Sequence, residues 1–229
     1  MSTGPKQALF AEFANVARAI AHPHRLEILE HLAQGERGVD ALSARLGLSI
    51  ANASQHLQQL RRAGLVASRR NGKFILYRLA DDTVLAVLSS LRRVAERNIA
   101  EVDRIVRGFF DARDDMEPVS RLDLLERMQA GLVTVLDVRP ADEFAASHLP
   151  GALNIPLSEL EARLPELDPS NEVVAYCRGA YCVLSFEAVA KLRTLGLKAR
   201  RLEEGLPEWR AAGLPLEHAQ LSLRRAISR

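Results

Sequence analysis

The chain has 229 residues, 48% of them hydrophobic, and a formal net charge of +2. That apolar content excludes a disordered chain, and the length suits one large domain or two small ones. The first apolar stretch, Gln7 to Ile20, is broken by Glu12, Asn15 and Arg18, so no signal peptide and no membrane partner are expected; two cysteines without a disulfide framework point to the cytoplasm.

In chain order, residues 7–20 repeat apolar groups at helical spacing through Leu9, Phe13, Val16 and Ile20. Pro23 suits the first turn of a second helix, whose buried face is Leu26, Ile28, Leu29 and Leu32. Val39 to Leu46 forms a third, stopped by Gly47, and Ser49 is a good N-cap for a fourth running to about Ala63. The pair 39–47 and 50–63 has helix-turn-helix form. On the fourth helix Ile50, Ala53, Leu57 and Leu60 share one face, and Asn52, Gln55, Gln59 and Arg62 the other. Asn and Gln can read adenine edges, and Arg can read guanine. Asn71-Gly72 between two strand-like runs marks a hairpin tipped by Arg69, Arg70 and Lys73. Residues 41–80 hold seven basic side chains and no acidic one. A helix-turn-helix followed by a basic-tipped hairpin is a winged helix.

Residues 82–112 read as one long helix with a seam of Val84, Leu88, Leu91, Ala95, Val102, Ile105 and Phe109, suited to packing against a partner copy. Residues 113–118 are charged, end in Pro118, and read as a linker. The period then changes. Residues 132–138, 153–155, 173–176 and 199–202 read as strands, alternating with helical stretches at 120–130, 141–147, 158–164, 183–195 and 206–212. This is the α/β pattern of a mostly parallel sheet covered on both faces. The expected organisation is therefore multi-domain: a mostly α, α+β winged helix over 1–112, and an α/β domain over 119–229.

Both cysteines lie in one loop, Cys177-Arg178-Gly179-Ala180-Tyr181-Cys182, between a strand-like run and a helical one. A thiol there, facing loop N–H groups and a helix N-terminus, is placed to react as a thiolate, and Arg178 adds a positive charge beside it. A cysteine phosphatase loop needs an Arg six positions after the Cys, where this chain has Val183, so the loop suits sulfur transfer better than phosphate. Cys177 is the expected nucleophile. Two roles fit Cys182: a resolving thiol that bridges to Cys177, or a small loop-packing residue. Bridging requires Cα atoms about 4.4–6.8 Å apart. Asp137, Arg139 and Glu143 are expected to order the strand end, with His148 as a loop-fixing hydrogen bonder.

Two resemblances cover nearly the whole chain. His22-Pro23-His24-Arg25-Leu26-Glu27-Ile28-Leu29, Leu46-Gly47-Leu48-Ser49, Ser54-Gln55-His56-Leu57 and Leu60 to Val66 resemble the ArsR-type winged-helix repressors. This implies a homodimer, formed through the 7–20 and 82–112 helices, on an inverted-repeat operator in double-stranded DNA. Ser49, Asn52, Ser54, Gln55 and His56 would face DNA, with Arg69, Arg70 and Lys73 on phosphate or in the minor groove. The chain lacks that family's thiolate and histidine metal sites, and His22, His24, His31 and His56 read as single histidines, so no metal is expected. Leu136-Asp137-Val138-Arg139, Glu143-Phe144, His148 to Pro156, the cysteine loop, and Gly205-Leu206-Pro207-Glu208-Trp209 through Gly213-Leu214-Pro215 resemble a single rhodanese domain. Glu204 stands where that family usually has glycine. The resemblance implies that Cys177 takes sulfur from a small donor, such as thiosulfate or a persulfide, with Gly179, Ala180 and Tyr181 completing the active-site loop and no cofactor.

Three functions fit. The first is a repressor whose rhodanese half senses reactive sulfur or redox state. The second is a working sulfurtransferase with an accessory DNA-binding domain. The third is an arsenite or antimonite sensor using Cys177 and Cys182.

Overall fold

A computed structural model of the chain describes residues 4–106, 108 and 118–218. They fall into two units, Met1–Arg93 and Val94–Arg229. Most of the segment read as a linker lies outside the described residues.

In the first unit, Pro5 opens α1 (Pro5–Ile20) and Pro23 opens α2 (Pro23–Ala33), where the missing proline N–H removes no helical bond. The His22 ring caps α2 by accepting the His24 N–H at 3.2 Å. A two-residue strand β1 (Arg37–Gly38) leads into α3 (Val39–Leu46), which ends at Gly47, and Ser49 Oγ caps α4 (Ile50–Arg62) by accepting the Asn52 N–H at 3.2 Å. β2 (Val66–Asn71) and β3 (Phe74–Leu79) form the expected hairpin, with Asn71 opposite Phe74 and Gly72 at φ 62° in the turn. β1 pairs antiparallel with the other side of β3. Ile28, Leu29 and Leu32 of α2 meet Leu42 of α3, Leu57 and Leu60 of α4, and Tyr77 and Leu79 of β3 in one buried core.

Two expectations change here, at Ile50 and in the long helix, and α1 lies off the core. Ile50 sits on the first turn of α4 ahead of the core and is exposed, whereas Ala53, Leu57 and Leu60 are buried. α1 buries none of its residues: Val16 and Ile20 pack at the core's edge, while Leu9, Phe10 and Phe13 face outward. The long helix of 82–112 is interrupted. α5 (Thr83–Asn98) stops before Ile99, and α6 (Ala100–Ile105) follows. Asn98 Nδ2 donates to the Val94 carbonyl at 2.8 Å, and such side-chain capture of an i−4 carbonyl loosens a helix at that point. Val84 and Leu85 are buried, whereas Leu91 and Ile105 of the expected seam are exposed and Phe109 lies outside the described residues.

The second unit holds a parallel sheet of β4 (Val133–Asp137), β5 (Leu153–Asn154), β6 (Glu172–Tyr176) and β7 (Ala199–Arg201) in the order β5-β4-β6-β7. Val119 bridges in parallel to Leu202 beside it. Alternation along β6 divides two cores. Val173, Ala175 and Cys177 face a cluster with Ala188, Val189 and Leu192 of α9 (Val183–Thr194). Val174 and Tyr176 face the other cluster, with Leu124 of α7 (Arg121–Gln129) and Leu206 and Trp209 of α10 (Leu206–Ala211). α8 (Ala141–Ala146) follows β4. The helix expected at 158–164 is absent. Two 3₁₀ turns, Leu157–Glu159 and Leu164–Glu166, occupy that stretch, where Pro156 and Pro165 lack the N–H a longer helix would use. Leu132 lies before β4 and is exposed. Among the described residues no helix is long and apolar enough to cross a membrane.

Candidate functional site

The chemistry of the second unit collects at the C-terminal ends of its strands, where ligands of open parallel sheets bind. Beneath the cysteine loop is a buried polar frame. Arg139 and Asp137, both fully buried, meet at 2.6 Å. Tyr176 Oη donates to Asp137 Oδ2 at 2.5 Å and accepts the Leu149 N–H at 3.1 Å. Burial, and next the Asp137 charge, push the Tyr176 phenol well above its ordinary value, so it stays a donor. Arg139 Nη2 donates to the Ser147 carbonyl at 2.7 Å, fixing the chain after α8. His148 stacks on Phe144 with centroids 3.7 Å apart and bonds the Phe144 carbonyl through Nδ1 at 2.8 Å, so it holds the loop as expected.

Of the two roles open to Cys182, the structure has the bridged one. A disulfide links Cys177 to Cys182 with Cα atoms 6.1 Å apart, within the range that permits a bridge. Both residues are buried, and in this state neither sulfur is a nucleophile. The backbone explains the approach. Cys177 extends β6, and its carbonyl accepts the Leu206 N–H at 3.2 Å. The Cys182 N–H donates back to the Gly179 carbonyl at 3.1 Å, and Cys182 N-caps α9. Gly205 presses against the loop: a Cβ there would lie 2.4 Å from Gly179 N. Only glycine tolerates that contact.

Arg178 departs from its expected place. Its guanidinium forks onto the fully buried Glu143, Nη2 to Oε1 at 2.9 Å and Nε to Oε2 at 2.9 Å. Its charge is matched by a carboxylate, so it braces the loop on α8 rather than presenting an uncompensated cation to Cys177. Tyr181 Oη donates to Glu96 Oε1 at 2.6 Å, a partner that sequence reasoning did not propose. Glu204, at the unusual position before Gly205, meets Arg121 of α7 at 2.7 Å. Glu36, Glu96 and Arg121 were missed because each acts through a long-range pairing with no local motif, whereas Glu143 was singled out but its partner Arg178 was not.

In the first unit, the outward face of α4 presents Asn52 and Gln55 exposed, with Ser49 at its cap and Ser54 half-buried. Gln59 is tied down, accepting from Arg25 Nη1. His56 does not stand alone. Its ring lies 4.6 Å from that of His22 and 5.9 Å from that of His24, so it packs at the joint between α4 and the start of α2. Burial first, then His22 and Arg25, hold its pKa below the ordinary 6.5. On the wing, Arg69 pairs with Glu36 at 2.6 Å, and Arg70 Nε donates to the Gly72 carbonyl at 2.9 Å. The Lys73 ammonium lies 5.3 Å from the Phe74 ring. Of the three basic wing residues, Arg69 already has an acidic partner.

Comparison with known proteins matches both units. A rhodanese-like domain model covers residues 120–212, and a helix-turn-helix domain model covers residues 20–69. The HTH-type transcriptional regulator Rv0324 of Mycobacterium tuberculosis is 43% identical over 212 residues, which is 93% of each chain. The biofilm growth-associated repressor of Agrobacterium fabrum is 42% identical over 80 residues, covering 35% of this chain and 68% of that protein. The solved homodimeric winged helix-turn-helix DNA-binding domain (fragment 1-100) of Mb0332 from Mycobacterium bovis is 37% identical, covers 43% of this chain and 92% of that one, and superposes with a TM-score of 0.40. With the first of these similarities running through both halves, the chain belongs to the HTH-type transcriptional regulators, joining a winged helix-turn-helix to a C-terminal rhodanese-like domain.

Proposed function

We propose that this regulator is a cytoplasmic, homodimeric repressor that releases its operator when reactive sulfur closes the Cys177–Cys182 bridge. α4 enters the major groove of an inverted repeat, Asn52 and Gln55 read base edges, and Lys73 and Arg70 hold phosphate from the wing. The exposed Leu9, Phe10 and Phe13 of α1, with Leu91 of α5, supply the apolar surface for a two-fold partner. Repression is in keeping with the name of the Agrobacterium relative.

The chemistry needs only the donor and the two thiols. The Cys177 thiolate takes the outer sulfur of a persulfide R–S–SH, giving Cys177–S–S⁻ and R–SH; thiosulfate gives the same persulfide and sulfite. After protonation of the persulfide, the Cys182 thiolate attacks Cys177 Sγ, the new Cys177–Cys182 bond forms, and HS⁻ leaves. The donor sulfur is reduced, the cysteine pair is oxidised, and no further oxidant enters. A dithiol reductant resets the loop by exchange.

The single observation that carries this reading is the disulfide across the rhodanese-like loop of a DNA-binding regulator. Bridges of this kind inside cells are transient and catalytic or redox-sensing. The test is operator binding by the full chain with and without glutathione persulfide, beside Cys177→Ser. Loss of binding in wild type and none in the variant supports the reading. Steady sulfur turnover with unchanged operator affinity would instead make the chain a sulfurtransferase.

A further inference from the structure

The six residues of the cysteine loop are held from several directions. Cys177 is fixed through its carbonyl by Leu206, Arg178 by Glu143, Gly179 by the backbone contact with Gly205, and Cys182 by its place at the head of α9. All of these anchors belong to the rhodanese-like fold. Tyr181, directly before the bridged Cys182, reaches elsewhere: its Oη donates to Glu96 at 2.6 Å. Both side chains are half-buried, and both residues lie in the second unit. Glu96 sits on the last turns of α5. That helix starts at Thr83, and its Val84 and Leu85 are buried in the core of the winged helix. One hydrogen bond therefore joins the sulfur-bearing loop to a helix that is continuous with the DNA-binding unit.

We infer that Tyr181–Glu96 is the regulatory link of this protein: closing the 177–182 bridge sets Tyr181 against Glu96, and that bond biases α5 toward the operator-releasing state. This inference rests on the sulfur-sensing reading above and says how the sensed state leaves the loop. The physical basis is local. A phenol donating to an ionised carboxylate makes a charge-assisted bond, stronger than a neutral one. Bridging or freeing Cys182 moves the residue bonded to it, so Tyr181 Oη is displaced with the chemistry of its neighbour. α5 also carries Leu91 and Val94, exposed apolar groups on the surface assigned to the partner copy. A bias on this helix therefore acts on the dimer as well as on the core beneath α4. Tyr181 and Glu96 are positioning residues, taking no part in the bond-making at sulfur.

The experiment uses the full chain as wild type, Glu96→Ala, Glu96→Gln and Tyr181→Phe. Each is reduced, or treated with glutathione persulfide, and titrated with a duplex that the chain itself selects from a random pool. Mass spectrometry of the loop peptide reports bridging in every sample. Wild type is expected to lose affinity on bridging by a factor within the usual allosteric range of about 5–150. Glu96→Ala is expected to bridge to the same extent and bind DNA like wild type when reduced, yet show no change on treatment. Tyr181→Phe is expected to match it wherever its loop peptide shows the bridge. Glu96→Gln, which keeps an acceptor for the phenol, is expected to recover part of the response, a rescue that loss of packing would not give. A full wild-type response in Glu96→Ala with the bridge formed overturns the inference and leaves the sensor reading standing. A wild-type chain that bridges without losing affinity, or never bridges, overturns the sensor reading and this link with it.

Discussion

Asp137 and Arg139 show how much of this molecule depends on single pairings. Both are fully buried, and the pair also organises Tyr176 and the Ser147 carbonyl. Truncating one member of a buried ion pair strands the other in a low-dielectric interior. Arg139→Met is therefore expected to destabilise the rhodanese-like unit by about 3–5 kcal/mol, read by chemical denaturation. His56 gives a pH signature at the same scale. Its folded-state pKa lies below 6.5, chiefly through burial and then through His22, Arg25 and His24. The folded state thus binds this proton less readily than the unfolded chain. The His56 contribution is intact above 6.5 and is lost as pH falls from there toward the lower folded value. The melting temperature of the chain should fall as pH drops below about 6.5, the ordinary histidine value, and His56→Gln should flatten that fall. An unchanged slope in the variant would remove His56 from the account. Only the first of these pairings shows as a motif. Asp137 and Arg139 are two apart and could be read together, whereas the approach of His22 and His56 depends on how α2 packs on α4.

Among the elements, those with a strong period were legible and those set by competing local chemistry were not. The helix start at Pro23, the cap at Ser49, the turn at Asn71-Gly72 and the apolar run of β6 are short-range signals, and the structure follows them. The helix expected at 158–164 gives way to two 3₁₀ turns, the second holding Pro165, whose ring disfavours the α conformation at Leu164. The single helix expected at 82–112 ends where Asn98 takes the Val94 carbonyl. In the proposed mode of DNA binding, α4 and the wing divide the work. Gln55→Ala is expected to lose about 1–3 kcal/mol at the base it reads and relax preference there, whereas Lys73→Ala should weaken all sequences alike and reduce the salt slope by about 1. Binding to a panel of duplexes at several salt concentrations separates the two, and a uniform loss from Gln55→Ala would contradict its role. Arg69 was assigned to DNA from its place at the tip of the wing in the winged-helix resemblance. Its pairing with Glu36, on a segment 33 residues away, could not be read from the sequence.

At the scale of the whole molecule, the two-part organisation and the position of the cysteine loop were legible because each half carries its own dense set of motifs. The link proposed to carry the signal out of that loop was not. Tyr181 and Glu96 are 85 residues apart, and neither stands out by type or spacing. The proposed dimer is a property of the same scale. Phe13 is 62% exposed on a helix that buries none of its residues, a position that suits a partner surface rather than a core. Phe13→Glu is expected to shift the chain from dimer to monomer in sedimentation and to abolish operator binding while each unit stays folded. A variant that remains dimeric would move the seam away from α1. The central claim, that sulfur chemistry at Cys177 governs the grip on DNA, is tested most directly by one measurement. Operator affinity of the full chain is determined with the loop reduced and again after persulfide treatment, with Cys177→Ser in parallel and the 177–182 bridge followed by mass spectrometry. The account predicts tight binding by the reduced chain, release as the bridge forms, and an indifferent variant; equal affinity in both states of the wild-type loop would contradict it.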